Sequence, residues 1–278
     1  MSVKVLFLGR LGNNLFQYAL GRIIAEELGF AMSCEPSPFS HPLLTPPKRF
    51  GPSTFLISSQ DAFPNAPFEL PGADHQTPEE AHICRFKAGG WDGQDIDLQA
   101  ILADRSPRRI VLSGFFQRLE YYEPHRDRIA RWFAMPPIDL PEVADDDVLL
   151  TIRGGDFDRL RWRLASDFYL RALERMEHIG RVFISGVGVN ERLLGELAAY
   201  NPVFFDRPPL EQFRFIQKFR RVVLSNSTFP WWAGYLGRGE ELYVAQPPPD
   251  AKGYHFTSGG VDLIGEDPRF RPVEASFR

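Results

Sequence analysis

Long apolar runs, cysteine and excess positive charge are all scarce in this chain. No stretch of about 18 apolar residues occurs, so no segment is expected to span a membrane. Residues 1–8 form a short strand-like run without a basic region and a long apolar stretch, so no signal peptide is expected. The only cysteines are Cys34 and Cys84, whose spacing makes no metal signature, and a reduced cytosolic compartment is the simplest reading. Acidic residues number 36 against 32 Lys and Arg, a net charge of −4 with a pI near 5.9. That balance argues against a partner bound by neutralising a nucleic-acid backbone, while local basic pockets stay open. The histidines His41, His75, His82, His125, His178 and His255 show no metal-ligand spacing and no nucleophile partner. Neither a G-x-S-x-G elbow nor a Walker loop is present.

What is there suffices for a core. Hydrophobic residues make up 44% and charged residues 24% of 278 positions, which fits one large α/β domain or two of about 140 residues each. Prolines cluster in residues 35–78 and suggest loop-rich structure. That segment is more than a linker, because Phe39, Leu43, Leu44, Phe50, Phe55, Leu56, Ile57, Phe63 and Phe68 all require burial. Across residues 30–105 the apolar runs are short and their order is not assignable.

Elsewhere the pattern is readable. Residues 3–8 form a strand, residues 9–14 (Gly9-Arg10-Leu11-Gly12-Asn13-Asn14) a tight turn, and residues 15–28 a helix with Leu15, Phe16, Ala19, Ile23 and Leu28 on one side and Gly29 as its stop. The turn is not the dinucleotide fingerprint, and glycines there serve first to reverse the chain. Residues 109–113 are a strand and 119–133 look helical. Residues 135–147, with Pro136, Pro137, Pro141 and three successive aspartates, read as a crossover between two halves. Strands are then expected at 148–152, 181–185, 203–205, 222–225 and 242–245. They alternate with helices at 166–179 (capped by Ser166 or Asp167), 190–199 (capped by Asn190), 210–219 and 229–236. Such alternation means a parallel sheet covered on both faces, with ligands beyond the carboxyl ends of its strands.

Two segments fall at such ends. In Thr151-Ile152-Arg153-Gly154-Gly155-Asp156 an apolar run delivers one arginine into a loop with almost no side-chain bulk. A guanidinium offers a rigid fork of donors, and glycines let a ligand approach the main chain, so the pair suits a phosphate. The plainer alternative is a surface arginine bridged to Asp156 or Asp158. In Ser225-Asn226-Ser227-Thr228-Phe229-Pro230 a strand runs into hydroxyls, an amide and the N–H groups of a helix start, a second anion seat. The plainer alternative is an ordinary cap by Ser227 or Thr228 with Pro230 in the first turn. Asp145-Asp146-Asp147 precedes its strand rather than following it, which favours a solvated loop over a metal site. Trp231 and Trp232 are read as one core residue and one near the site edge.

With these residues in view, the chain resembles the bacterial α-1,2-fucosyltransferase family. The opening Gly9-Arg10-Leu11-Gly12-Asn13-Asn14-Leu15-Phe16-Gln17-Tyr18-Ala19 is similar to G-x-L-G-N-Q-x-F-Q-Y-A. Ser113-Gly114-Phe115-Phe116-Gln117 with Tyr121-Tyr122 looks like its G-Y-F-Q…Y-F segment, and residues 151–157 resemble H-x-R-x-G-D-Y. Leu224 to Ala233 resembles I-S-N-S-S-F-S-W-W-A, and Asp167-Phe168-Tyr169 fits a D-Y-Y element. The chain departs from the pattern at Thr151 (histidine in the family), at Gly154 (a second basic residue), and at Gly186-Val187-Gly188, where an acidic pair is usual.

The resemblance implies an α/β fold of two Rossmann-like halves facing across a cleft (GT-B type): residues 1–140 on the acceptor side and 141–278 binding the nucleotide sugar. It implies an inverting glycosyltransferase that uses GDP-fucose without a metal or other cofactor. The acceptor hydroxyl would belong to an oligosaccharide or lipid-linked bacterial surface glycan. Arg153, Asp156 and Asn13 are the implied catalytic residues. Gly12, Arg153, Gly155, Ser225, Asn226, Ser227, Thr228 and Phe229 are the implied donor contacts. The departures keep a different nucleotide sugar, or a non-catalytic nucleotide-sugar or glycan binder, as alternatives. No nucleic-acid partner is expected. The expected location is cytoplasmic, with peripheral association to the inner membrane face through the acceptor. Asp156, Asp158 and Asp167 are the candidate bases, Asp156 the weakest because its carboxylate is expected to hold backbone donors of the loop.

Overall fold

The structure is a computed structural model that describes residues 1–36, 56, 60–72, 80–84, 95–106, 108–251 and 253–278, without the side chains of residues 60 and 80–84. Phe39, His41, Leu43, Leu44, Phe50, Phe55, Ile57 and His75 therefore lie outside the described residues, as do the side chains of His82 and Cys84. The chain is a mixed α/β fold that divides into two compact units. One comprises Met1–Pro136 with Gly259–Gly265, the other Pro137–Ser258 with Glu266–Arg278.

The first unit holds strands β1 (Ser2–Phe7), β2 (Ala31–Pro36), β3 (Glu69–Leu70), β4 (Glu80–Cys84) and β5 (Arg109–Leu112), and helices α1 (Leu11–Leu28), α2 (Leu98–Ala103) and α3 (Arg126–Trp132). The sheet order is β3-β2-β1-β5-β4, parallel throughout except for the antiparallel β2–β3 pair. The chain places β2 on one side of β1 and then β5 on the other. The strand order thus reverses between β1 and β5, the point where open α/β sheets form a crevice.

Helix α1 begins at Leu11, so the turn expected over residues 9–14 is confined to Gly9 and Arg10. Gly9 has φ +74°, and a Cβ there would collide with the Asn13 amide. One left-handed glycine reverses the chain, and the N–H groups of Asn13 and Asn14 both already bond to Arg10 O (2.9 and 3.0 Å). The helix is buried well beyond the single side expected. Its Phe16 packs on Tyr122, and Tyr18 on Phe68 and Phe133. The single helix expected over 119–133 is instead two 3-10 turns followed by α3, because Pro124 cannot donate within a continuous helix.

The second unit holds β6 (Val148–Arg153), β7 (Val182–Val187), β8 (Val203–Phe205), β9 (Arg221–Val223), β10 (Glu241–Gln246) and β11 (Phe270–Glu274). Its helices are α4 (Asp156–Leu160), α5 (Ser166–Glu174), α6 (Glu191–Glu196), α7 (Pro209–Ile216) and α8 (Thr228–Leu236). All six strands are parallel, in the order β8-β7-β6-β9-β10-β11. Period-two alternation turns Val148, Leu150 and Ile152 towards Phe168, Tyr169, Ala172 and Leu173 of α5 and Leu193 of α6. The other face is aromatic: Phe205 stacks on Phe215 of α7 at 3.9 Å, and Phe183 meets Phe215 and Phe219 edge-on. Here too the order reverses beside the first strand, between β6 and β9.

Three local expectations need correction. Ser166 and Asp167 lie inside α5, whose cap position is Ala165. The Ala165 N–H is taken by Ser276 O (2.9 Å), and the Ser166 hydroxyl accepts from Arg278. Trp231 and Trp232 are both fully buried. Trp231 stacks on Tyr235 (4.7 Å), Trp232 meets that ring edge-on, and α8 also packs against α7, so it is covered on more than one side. Strand β11 follows a region with no strand signal in its sequence and completes the sheet beside β10.

Candidate functional site at the strand ends of the second unit

Arg153 is the last residue of β6. Its register partner on β7 is Val187, and on the other side β6 pairs with β9. The chain beyond β9 supplies Ser225-Asn226-Ser227 and then α8. The two segments are joined directly: Thr151 Oγ accepts the Ser225 N–H at 2.8 Å and donates to Val223 O at 3.2 Å. Tyr169 buttresses this junction from α5, its phenol donating to Thr151 O at 3.2 Å while burial pushes its pKa upward and keeps it a neutral donor. The position where the family has histidine is thus a hydroxyl that ties the two strand ends together.

The Arg153 guanidinium is largely buried. Nη2 donates to Asp156 Oδ1 at 2.7 Å, and the cation lies 5.0 Å from the Phe157 ring centroid. Nε is buried and has no hydrogen-bond partner among the described residues. The expected salt bridge to Asp156 therefore exists, and it leaves donor capacity on Arg153. The loop's backbone donor is held by Asp158 rather than Asp156: Gly155 N–H reaches Asp158 Oδ2 at 2.6 Å, the reach-back half of a capping box.

Ser227 occupies the cap position of α8 with extended backbone, yet its hydroxyl makes no capping bond, and its N–H turns back to Ser225 O at 2.7 Å. Capping by Ser227, the plainer reading of this segment, is not what its hydroxyl does. The helix opens with the N–H groups of Thr228 and Phe229 before Pro230, which has none. Partial positive charge collects at such a terminus. Phe229 meets Phe213 edge-on at 5.4 Å. Asn226 is buried, and its Nδ2 donates to Trp162 O (2.7 Å) and Tyr254 O (2.6 Å). Those two carbonyls fix the amide orientation, and Oδ1 is then a buried acceptor without a partner among the described residues.

Backbone packing accounts for two of the departures from the family pattern. Gly154 N–H donates to Val187 O at 2.7 Å. A Cβ on Gly154 would stand 3.0 Å from the Cα of Gly188, and one on Gly188 would stand 2.8 Å from the Cα of Gly154. Gly186 has φ +129°, and a Cβ there would collide with Ile152 O. Bare backbone thus stands at both positions, Gly154 against Gly188 and Gly186 against Ile152 O. Val187 is 52% exposed at this end of the sheet.

The other expected residues lie elsewhere. Gly12 is buried in the first turn of α1, and Asn13 beside it accepts from Gln117 Nε2 at 3.1 Å, both in the first unit. Asp167 pairs with Arg171 (3.4 Å). Asp145 and Asp147 flank the amino end of β6, away from Arg153. Asp145 meets Arg220 and Arg238, and the buried Asp147 binds Arg181 Nη2 at 2.6 Å and the N–H groups of Ala144 and Arg181. Burial alone would raise the Asp147 pKa, but these donors together hold it below the usual carboxylate range. Asp145 and Asp146 are exposed turn residues, as the solvated-loop reading expected, whereas Asp147 is buried and ion-paired at the start of β6. Among the described residues no group of three or more His, Cys, Asp or Glu is arranged to hold a metal, and no helix is long and apolar enough to cross a membrane.

Sequence reading missed Trp162 and Tyr254, whose main-chain carbonyls hold Asn226, and Arg163, whose guanidinium reaches the main-chain carbonyl of Gly188. No side-chain pattern encodes such contacts. Compared with known proteins, the chain matches no protein-family model and no curated protein.

Proposed function

We propose that the second unit seats the diphosphate of a nucleotide sugar at the carboxyl ends of β6 and β9, and that the protein is an inverting, metal-independent glycosyltransferase. The observation that carries this reading is that β6, which ends in Arg153, and β9, which leads through Ser225 into α8, are neighbouring parallel strands tied together by Thr151 where the strand order reverses, the usual ligand crevice of such sheets. Counted from β6, the strand order is 3-2-1-4-5-6, which supports a Rossmann-like reading of this unit. The first unit's reversal beside β1 supports the same reading of its sheet, and the pair fits the GT-B type. GDP-fucose is the donor that the sequence resemblance favours, with a surface-glycan hydroxyl as acceptor and Asn13 on the acceptor side.

In this scheme the acceptor oxygen attacks the anomeric carbon as the bond to the diphosphate breaks, inverting that centre. Arg153 and the first N–H groups of α8 stabilise the charge that develops on the departing diphosphate. The test is calorimetric titration with GDP, UDP and CMP in the presence of EDTA, followed by transfer assays on the nucleotide sugar that binds. Preference for a nucleotide other than GDP changes the donor, and absence of binding to all three sinks the proposal.

A second reading, a nucleotide-sugar binder without transferase activity, draws on a specific observation. All three candidate bases are held in ion pairs: Asp156 with Arg153, Asp158 with Arg163, and Asp167 with Arg171. GDP binding without transfer or donor hydrolysis across a broad acceptor panel would favour it.

A further inference from the structure

We infer that Arg163 is the positioning residue of this phosphate seat, locking together the three strand-end loops that build it; the inference rests on the reading just given. The chain leaves α4 through Arg161, a non-glycine residue in the left-handed region (φ +56°), which throws Trp162 and Arg163 back across the ends of the strands. Trp162 N–H returns to Phe157 O at 2.9 Å, and its ring meets Phe157 edge-on at 5.7 Å.

From this dipeptide one connection reaches each loop. To the loop after β6, Arg163 Nη1 donates to Asp158 Oδ1 at 2.9 Å, and the other Asp158 oxygen holds Gly155 N–H. To the loop after β7, Arg163 Nη2 donates to Gly188 O at 2.8 Å. To the loop after β9, Trp162 O receives Asn226 Nδ2, two residues before the start of α8. The main-chain carbonyl of Arg163 is itself fixed by Arg278 N–H at 2.9 Å.

Arg163 is nearly buried, and a buried cation is costly unless its partners compensate. Its planar fork suits two acceptors on different loops at once, a geometry that the single ammonium of lysine does not reproduce. Among the described residues, Gly154 N–H to Val187 O is the one backbone bond joining those two loops past the sheet, the Gly154–Gly188 contact adds no side chain to it, and the guanidinium supplies a second tie that holds their spacing. Arg153 precedes Gly154 directly, and the aim of its guanidinium depends on where that loop sits. Misplacing a catalytic group by about 1 Å costs on the order of a hundredfold in rate.

The test uses the full-length protein with Arg163→Lys and Arg163→Gln, and Arg181→Gln as a control at the other end of β6. Two readouts are taken: amide hydrogen exchange over residues 153–158, 186–190 and 225–230, and GDP affinity by calorimetry. Both Arg163 variants are expected to speed exchange in all three segments and to weaken GDP binding about tenfold or more, lysine no better than glutamine. The control is expected to lower the melting temperature without either change. Wild-type affinity and exchange in Arg163→Lys would overturn the inference by showing that charge alone suffices. Faster exchange confined to residues 155–158 would overturn it by showing that no coupling reaches β7 or β9. If Arg163→Gln does not fold, Arg163→Lys alone decides. If the wild type binds no nucleoside diphosphate, the phosphate-seat reading fails, while the exchange pattern still decides whether Arg163 couples the loops.

Discussion

The two units reverse their strand order in the same manner and fill the reversal point with opposite chemistry. In the first unit it is packed with neutral amides. Gln17, fully buried, binds both Leu8 N–H and Leu8 O and also Gly114 O and the Asn14 amide, and Asn14 binds Leu8 O and Leu56 N–H. These bonds tie the residues after β1 and β5, and the Leu56 N–H, to the first turns of α1, while the Ser113 hydroxyl after β5 is buried without a partner among the described residues. In the second unit the same place holds a cation, a helix start at which the Ser227 hydroxyl makes no capping bond, and two buried polar atoms, Arg153 Nε and Asn226 Oδ1, without partners among the described residues. A buried cation with donor capacity left over favours an anionic ligand, which neutral amides and a hydroxyl do not. The difference teaches that topology offers a crevice in both units, and that side-chain chemistry distinguishes them.

Substitutions can break this contrast. The largest effect is expected from Arg153→Ala, which should raise the transfer barrier by about 3–4 kcal/mol while barely moving the melting temperature; steady-state kinetics beside thermal unfolding checks both halves. Gln17→Ala should do the reverse. It strands the buried Leu8 N–H and its neighbours and should cost about 3 kcal/mol of stability in denaturant unfolding, with nucleotide affinity of the folded protein unchanged.

The contrast also shows what sequence could reveal. Continuous apolar runs placed Arg153 and Ser225 at strand ends, and the alternation of strands with helices gave the parallel sheet, because short buried strands bounded by polar residues are readable locally. The helix start at Leu11 was hidden because Gly12 and two asparagines read as turn formers, although Gly9 alone makes the turn. The burial of both Trp231 and Trp232 was hidden because it depends on α7 and Phe270, which are distant in sequence. Arg163 carried no signal because its partners include the main-chain oxygen of Gly188. The glycines at 154 and 186 carried no signal of close packing, because their neighbours, Gly188 and Ile152 O, lie on other segments of the chain.

Smaller substitutions sharpen the account within the second unit. Thr151→Val removes the acceptor of the Ser225 N–H and should cost about 1–2 kcal/mol in unfolding and several-fold in GDP affinity, with Thr151→Ser retaining most of both. Val187→Asp puts a carboxylate on an exposed position beside the missing acidic pair. Its effect on stability should stay within about 0.5 kcal/mol. If a carboxylate there reaches a ribose hydroxyl, GDP should gain about threefold over pyrophosphate in competition binding.

The most direct measurement is the backbone amide NMR spectrum of the isotope-labelled protein titrated with GDP. The account predicts that the largest shifts fall on Gly155, Ser227, Thr228 and Phe229, and that Arg153→Ala abolishes them. Shifts concentrated instead on Asn13, Gln117 and their neighbours in the first unit, or no shifts at millimolar GDP, would contradict it.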